Sequence, residues 1–181
     1  MKGFTLLETV IVIGLTVFIM AALGNFYLNF NSVLGINGGR ISVASGARNV
    51  MSEAETMILP AKQVLSSYEF SGTIYTTDAN TIVLELPAIN SSGTFIEGKY
   101  DHAVFYVSGT TVYRLLQADP ESSRISGIKQ LSTAVHALSF SYDNADFTQV
   151  RKVDVTIQTS IVIKGESITH QLHEQIYLRN H

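Results

Sequence analysis

Residues 1–30 read MKGFTLLETVIVIGLTVFIMAALGNFYLNF, and almost every residue from Thr9 to Leu28 is apolar or small. A helix rises about 1.5 Å per residue, so about twenty such residues extend about 30 Å, the thickness of the hydrocarbon core of a bilayer. The segment therefore predicts one membrane-spanning helix. Lys2 lies on the short flank before it. This charge predicts that the N-terminus stays on the cytoplasmic side of the inner membrane and that the head lies on the outer side.

Two simpler explanations of this segment are a cleaved secretory signal and an ordinary signal anchor. A secretory signal ends in small residues of the Ala-x-Ala type at its cleavage site. Residues 25–30 instead read NFYLNF, which is aromatic and compatible with a continuing helix. An anchor agrees with the apolar run, but neither explanation accounts for the glutamate at position 8.

Glu8 is a carboxylate near the start of an otherwise apolar helix. Such a group costs about 3 kcal/mol at mid-bilayer and less near the headgroups, so it needs a partner. Cleavage of the chain between Gly3 and Phe4 would supply one, because the new α-amine could pair with Glu8 of a neighbouring subunit. Breaking that pair would leave a charge unpaired in lipid, and the pair would therefore fix the register between subunits.

The sequence KGFTLLE, from Lys2 to Glu8, resembles the prepilin processing motif of type IV pilins and type II secretion pseudopilins. The resemblance implies that a prepilin peptidase cuts after Gly3, that Phe4 becomes N-methylated and that Glu8 is the assembly glutamate. It also implies the partners: the peptidase, other pilin or pseudopilin subunits, an inner-membrane assembly platform and membrane lipid. Residues 1–3 would be the leader and residues 4–30 the transmembrane assembly helix.

An amphipathic helix is predicted to continue from residue 31 to residue 59. Apolar residues recur there at spacings of three, four and seven, which place them on one helical face. They are Val33, Ile36, Val43, Ala47, Val50, Ala54 and Met57. Pro60 is expected to end the helix. Gly35, Gly38 and Gly39 favour a local loss of helix, since each glycine costs about 1 kcal/mol relative to alanine.

Residues 66–181 are predicted to form a β-rich globular head, because short apolar runs alternate with turn residues. Two hairpins are predicted, one from Thr73–Thr77 and Thr81–Leu86 and one from His102–Val107 and Thr111–Leu116. Further strands are predicted at Ala137–Tyr142, Val150–Ile163 and Ser167–Leu178, and exposed loops at Pro87–Gly93 and Asp119–Gly127. One long helix packed on an antiparallel sheet is an α+β fold.

The end of the chain carries a second resemblance. The order of elements and the closing Leu178-Arg179-Asn180 are similar to those of minor pilins and minor pseudopilins. The disulfide loop that is common near the C-terminus of major pilins cannot form, because the chain has no cysteine. Both features favour a minor subunit, and the resemblance to the family implies a ladle-like shape in which the helix packs on the sheet.

Composition and spacing argue against several kinds of site. The net charge is −3 and the twelve Lys and Arg residues are scattered, so no nucleic-acid partner is expected. His170 and His173 would point to opposite faces of a strand. The segment Asp143-Asn144-Ala145-Asp146 is either a plain turn or a calcium loop without EF-hand spacing. No metal site, cofactor or enzymatic activity is predicted.

Three functions are compatible with the sequence. The first is a structural, minor subunit of a type IV pilus or type II secretion pseudopilus, assembled through its N-terminal helix. The second is a membrane-anchored binding or sensing domain that does not polymerise. The third is a subunit of an adhesive or DNA-uptake pilus. Processing after Gly3 and the role of Glu8 discriminate the first from the second, and ligand binding by the head would identify the third.

Overall fold

A computed structural model describes residues 5–179 as one long helix followed by ten strands. The helix α1 covers Leu6–Ile58, and a short 3-10 helix covers Phe147–Gln149. The strands are β1 (Gln63–Leu65), β2 (Ser67–Phe70), β3 (Thr73–Thr76), β4 (Ile82–Ile89), β5 (Phe95–Ser108), β6 (Thr111–Gln117), β7 (Gly127–Ser132), β8 (Val135–Tyr142), β9 (Lys152–Ile163) and β10 (Glu166–Tyr177). The helix packs on antiparallel sheets, which confirms the predicted α+β class.

The described strands form three antiparallel groups. Five strands make one sheet in the order β1-β4-β5-β6-β7, and three make a second in the order β10-β9-β8. Strands β2 and β3 form a separate two-stranded ribbon. The chain divides into two compact units, with the boundary between Gly39 and Arg40, and all three strand groups belong to the second unit.

One cluster of buried side chains joins the second part of α1 to both larger sheets. The helix contributes one apolar face, the five-stranded sheet alternate residues of β4 and β5, and the three-stranded sheet alternate residues of β9. The helix residues are Ala47, Val50, Met51, Ala54, Met57 and Ile58. The predicted apolar stripe is therefore confirmed from Val43 to Met57, all of whose members are buried, whereas Val33 is exposed.

A second, smaller core lies on the other face of the five-stranded sheet. Phe70 from the ribbon packs there against Val83 of β4 and Val104 of β5, with Tyr68 and Tyr75 partly buried beside them. Residues of β4 alternate between the two cores, since Ile82 and Leu84 face α1 and Val83 faces the ribbon. The five-stranded sheet is thus covered on both faces.

The predicted hairpin between Thr73–Thr77 and Thr81–Leu86 is wrong. Both segments are extended, but β3 pairs with β2, and β4 pairs with β1 and β5. The turn that decides the pairing is Ser71-Gly72, where both residues have positive φ, 49° and 88°. A two-residue turn of this kind matches the twist of paired strands and closes a tight β2–β3 hairpin.

The predicted loop at Pro87–Gly93 is wrong in its first half. Strand β4 continues through Pro87 to Ile89, with a register shift between these two residues that accommodates the proline.

Three strands, β1, β2 and β7, were absent from the prediction. The hairpin of β5 and β6 and the last three strands are confirmed, with β8 beginning at Val135 and β9 at Lys152. Helix α1 ends at Ile58, two residues before Pro60, as expected.

Candidate functional site

The predicted processing site lies outside the described residues, because Lys2, Gly3 and Phe4 precede the first described position. Asn180 of the closing motif is outside them as well. The part of the N-terminal motif that the structure describes runs from Thr5 to Glu8, and the candidate site consists of this turn and the apolar helix that follows it.

Thr5 and Glu8 form reciprocal hydrogen bonds at the start of α1. The backbone N–H of Thr5 donates to Glu8 Oε2 at 2.9 Å, and the Thr5 hydroxyl donates to the same oxygen at 3.0 Å. In the other direction, the backbone N–H of Glu8 donates to Thr5 Oγ1 at 3.3 Å. This arrangement is a capping box, in which residues three apart satisfy backbone groups that a helix N-terminus leaves unpaired.

The capping box gives the Glu8 carboxylate a partner within its own chain. The side chain lies at the positive end of the helix dipole, where a negative charge is stabilised. Sequence reasoning missed this role and considered only a partner from another subunit, although the pattern Thr-x-x-Glu before an apolar run is a known sequence signature of a helix start. A structural role and an assembly role for Glu8 are therefore both compatible with its position.

The apolar surface of α1 is exposed around the whole helix in its first unit. Every large apolar side chain from Leu6 to Phe30 is between 48% and 86% exposed. Among the described residues, α1 is the one helix that is long and apolar enough to cross a membrane. By its length and composition, α1 is a candidate for a single membrane span.

The two threonine hydroxyls within the span bond to backbone carbonyls of the same helix. The hydroxyl of Thr9 donates to the carbonyl of Thr5 at 3.3 Å, and the hydroxyl of Thr16 donates to the carbonyl of Val12 at 2.8 Å. Such bonds to the preceding turn satisfy the two threonine hydroxyls in an apolar environment. Glu8 is the single charged residue between Leu6 and Gly39.

The glycines after the span do not interrupt the helix. Residues 35–39 are helical throughout, although the sequence favoured a local loss of helix at Gly35, Gly38 and Gly39. Each glycine costs about 1 kcal/mol relative to alanine. Helix formation is cooperative, so this cost does not interrupt a helix of 53 residues.

In the segment considered as a calcium loop, Asn144 and Asp146 accept hydrogen bonds from nearby residues. Asp146 Oδ1 accepts from Thr148 and caps the 3-10 helix, and Asn144 Oδ1 accepts the N–H of Asp146 at 2.9 Å. His170 and His173 both lie on β10, three residues apart. Among residues 5–179, no group of three or more His, Cys, Asp or Glu side chains is placed to hold a metal ion.

Comparisons with known proteins identify no relative of this chain. No protein-family model, curated protein or solved structure matches the chain.

Proposed function

We propose that this chain is a structural, minor subunit of a type IV pilus or type II secretion pseudopilus, processed after Gly3 and assembled through α1. The observation that supports the proposal most is the exposed apolar surface of α1 from Leu6 to Phe30, which carries one carboxylate at its beginning. Apolar surface exposed to water is unfavourable by about 25 cal/mol per Å², so a helix exposed to this extent is not stable in water. It requires lipid before assembly and neighbouring helices after it.

The assembly step follows from the chemistry at the start of the helix. Cleavage after Gly3 would create an α-amine at Phe4, directly before the capping residue Thr5. In the membrane, the capping box would hold Glu8 in its own chain. In the filament, the amine of a neighbouring Phe4 would compete with the two donors of Thr5 for the same carboxylate, because its positive charge adds Coulombic attraction that the neutral donors of Thr5 lack. That exchange would fix the register of the incoming subunit.

Processing is tested by mass spectrometry of the protein purified from its own host. We expect the mature chain to begin with N-methyl-phenylalanine at Phe4. Co-expression with a prepilin peptidase in a heterologous host should remove residues 1–3, and a Gly3→Val variant should remain full length. Protein that keeps Met1 in its native host would contradict the proposal and favour the anchor that does not polymerise.

The role of Glu8 is tested by two substitutions that separate charge from capping. Glutamine can still complete a capping box, whereas alanine cannot. If the charge sets subunit register, both Glu8→Gln and Glu8→Ala abolish incorporation into sheared filaments, while membrane fractionation of the chain is unchanged. Glu55→Ala, which removes an exposed carboxylate from the same helix, serves as the control. Normal incorporation of Glu8→Gln would reduce Glu8 to a helix cap and would refute the assembly role.

A further inference from the structure

The loop between β4 and β5 contains the tripeptide Asn90-Ser91-Ser92. Asparagine followed by any residue except proline and then by serine or threonine is the acceptor sequence for N-linked glycans. The chain has nine asparagines, and this is the single position where the pattern occurs. The residues from Ser91 to Thr94 are exposed, as an acceptor loop must be.

The Asn90 side chain is held in one orientation by its own loop. Its Oδ1 accepts the N–H of Ser92 at 3.0 Å, the hydroxyl of Ser92 at 2.7 Å and the N–H of Thr94 at 2.9 Å. Because Oδ1 faces two backbone donors, the carboxamide cannot be flipped. Asn90 Nδ2 has no hydrogen-bond partner among residues 5–179, and Asn90 itself is half-buried at the edge of the exposed loop.

The backbone of the loop is also well fixed. Asn90 and Thr94 close it through the N–H of Asn90 and the carbonyl of Thr94 at 2.9 Å, and Gly93 takes the positive φ of 80° that the turn requires. The hydroxyl of Ser123 donates to the carbonyl of Asn90 at 3.0 Å and fastens the loop to its neighbour. The acceptor group therefore lies in a surface loop that several hydrogen bonds close.

We propose that Asn90 is an N-glycosylation site that takes its glycan from a glycosyl diphosphate donor. Nδ2 attacks the anomeric carbon of the sugar, the N–C bond forms, the bond from that carbon to the diphosphate oxygen breaks, and the diphosphate leaves with the electron pair. The proton lost from Nδ2 passes to a base of the transferase. The Ser92 hydroxyl, which donates to Oδ1, favours the imidate-like form of the carboxamide in which the nitrogen is nucleophilic.

The inference rests on the proposed function, because the proposed membrane orientation is what places the head outside the cell membrane. Asn144 provides a control within the chain. It lies in an exposed turn and its Oδ1 also accepts the N–H of the residue two positions later, but that residue is Asp146 and offers no hydroxyl. Asn144 should therefore remain unmodified where Asn90 is glycosylated.

The test is peptide mass spectrometry of the full chain purified from its native host. We expect a glycan at Asn90 in most molecules and none at Asn144. Asn90→Gln and Ser92→Ala should lose it, and Ser92→Thr should keep it. An added oligosaccharide indicates a lipid-linked donor and a single hexose a nucleotide-linked one, and either supports the site. An unmodified Asn90, or a glycan on Ser91 or Ser92 instead, overturns the proposal.

The same measurement separates this proposal from the proposed function. N-methylated Phe4 together with an unmodified Asn90 would refute the glycosylation alone. A glycan at Asn90 in a chain that retains Met1 would support glycosylation of an exported head and refute the filament subunit.

Discussion

Asp101 is a fully buried carboxylate that ties the loop between β6 and β7 to the five-stranded sheet. Arg124 Nη1 lies 2.6 Å from its Oδ2, and the Ser122 hydroxyl donates to the same oxygen at 2.8 Å. The N–H of Asp119 donates to Oδ1 at 2.8 Å. Arg124 Nη1 also donates to the carbonyl of Pro87 at 2.7 Å, so one guanidinium joins β4, β5 and the loop.

Replacing Asp101 with alanine should destabilise the protein strongly, because Arg124 would keep its charge in a largely buried position without a partner. Breaking a buried pair from one side typically costs about 3–5 kcal/mol. The measurement is the free energy of unfolding in urea, with the chain in detergent micelles. Glu121→Ala breaks the exposed pair of Lys99 and Glu121, whose atoms are 3.1 Å apart. It should cost about 1 kcal/mol or less, and equal losses for the two variants would contradict the role given to Asp101.

Helix α1 approaches the end of β7 closely at Gly46. A Cβ atom built on this glycine would lie 2.6 Å from the Oγ atom of Ser132, the last residue of β7. Gly46→Ala should gain about 1 kcal/mol of helix propensity. The overlap of the new Cβ atom with Ser132 Oγ should cost about 1–3 kcal/mol and offset that gain. Gly46→Ala should consequently be more favourable by about 1 kcal/mol or more in a Ser132→Ala background. A double-mutant cycle on urea unfolding measures this coupling, and strict additivity would contradict the close approach.

The β2–β3 ribbon is held on the five-stranded sheet by aromatic contacts. Tyr68 stacks on the His102 imidazole of β5, with ring centroids 3.8 Å apart and planes 11° from parallel. Burial lowers the pKa of His102 below its usual 6.5, although the carboxylates of Glu85 and Asp101 act in the opposite direction. The neutral ring is thus the form that the folded ribbon prefers.

The depressed pKa predicts that acid weakens the head through His102. A group whose pKa is lower in the folded state contributes stability above its unfolded pKa and loses it as the pH falls through the folded value. The free energy of unfolding of wild type minus that of His102→Gln should therefore decrease between about pH 7.5 and about pH 5. Groups that do not interact with His102 titrate alike in both proteins and cancel in the difference. A difference that stays constant or rises on acidification would contradict the assignment.

The strands that the sequence failed to predict are short or lack alternating burial, and β1 and β2 have only three and four residues. Strand β7 has four exposed residues followed by two buried ones, so it lacks the alternation by which a half-covered strand is recognised. Strand β3 was predicted correctly but assigned to β4, because the sequence cannot rank two turns that compete for the same strand. The β5–β6 hairpin was predictable, since its turn at Gly109 joins neighbouring strands directly. At the candidate site, the charge of Glu8 was evident from the sequence, and its hydrogen bonds to Thr5 could also have been predicted from the Thr-x-x-Glu pattern.

At the scale of the whole molecule, the two units have opposite relations to solvent. Every buried hydrophobic side chain among the described residues lies at Val43 or later in the chain. The first unit, up to Gly39, is helical, and its large apolar side chains from Leu6 to Leu34 are exposed. Exposure of this apolar surface to water is unfavourable, whereas the second unit carries two cores of its own.

This division predicts that residues 40–181 fold without the N-terminal segment. The fragment should be soluble and monomeric, and it should unfold in urea in one cooperative transition, because it retains the part of α1 that packs on both sheets. Val50 is fully buried in that packing, so Val50→Asp should abolish the cooperative transition, while Ser45→Asp on the exposed side of the helix should leave it within about 0.5 kcal/mol. Circular dichroism and size-exclusion chromatography report the two properties. A fragment that aggregates or unfolds gradually would show that the head needs the first unit, and the exposed helix would then have a structural role in the monomer beyond anchoring it.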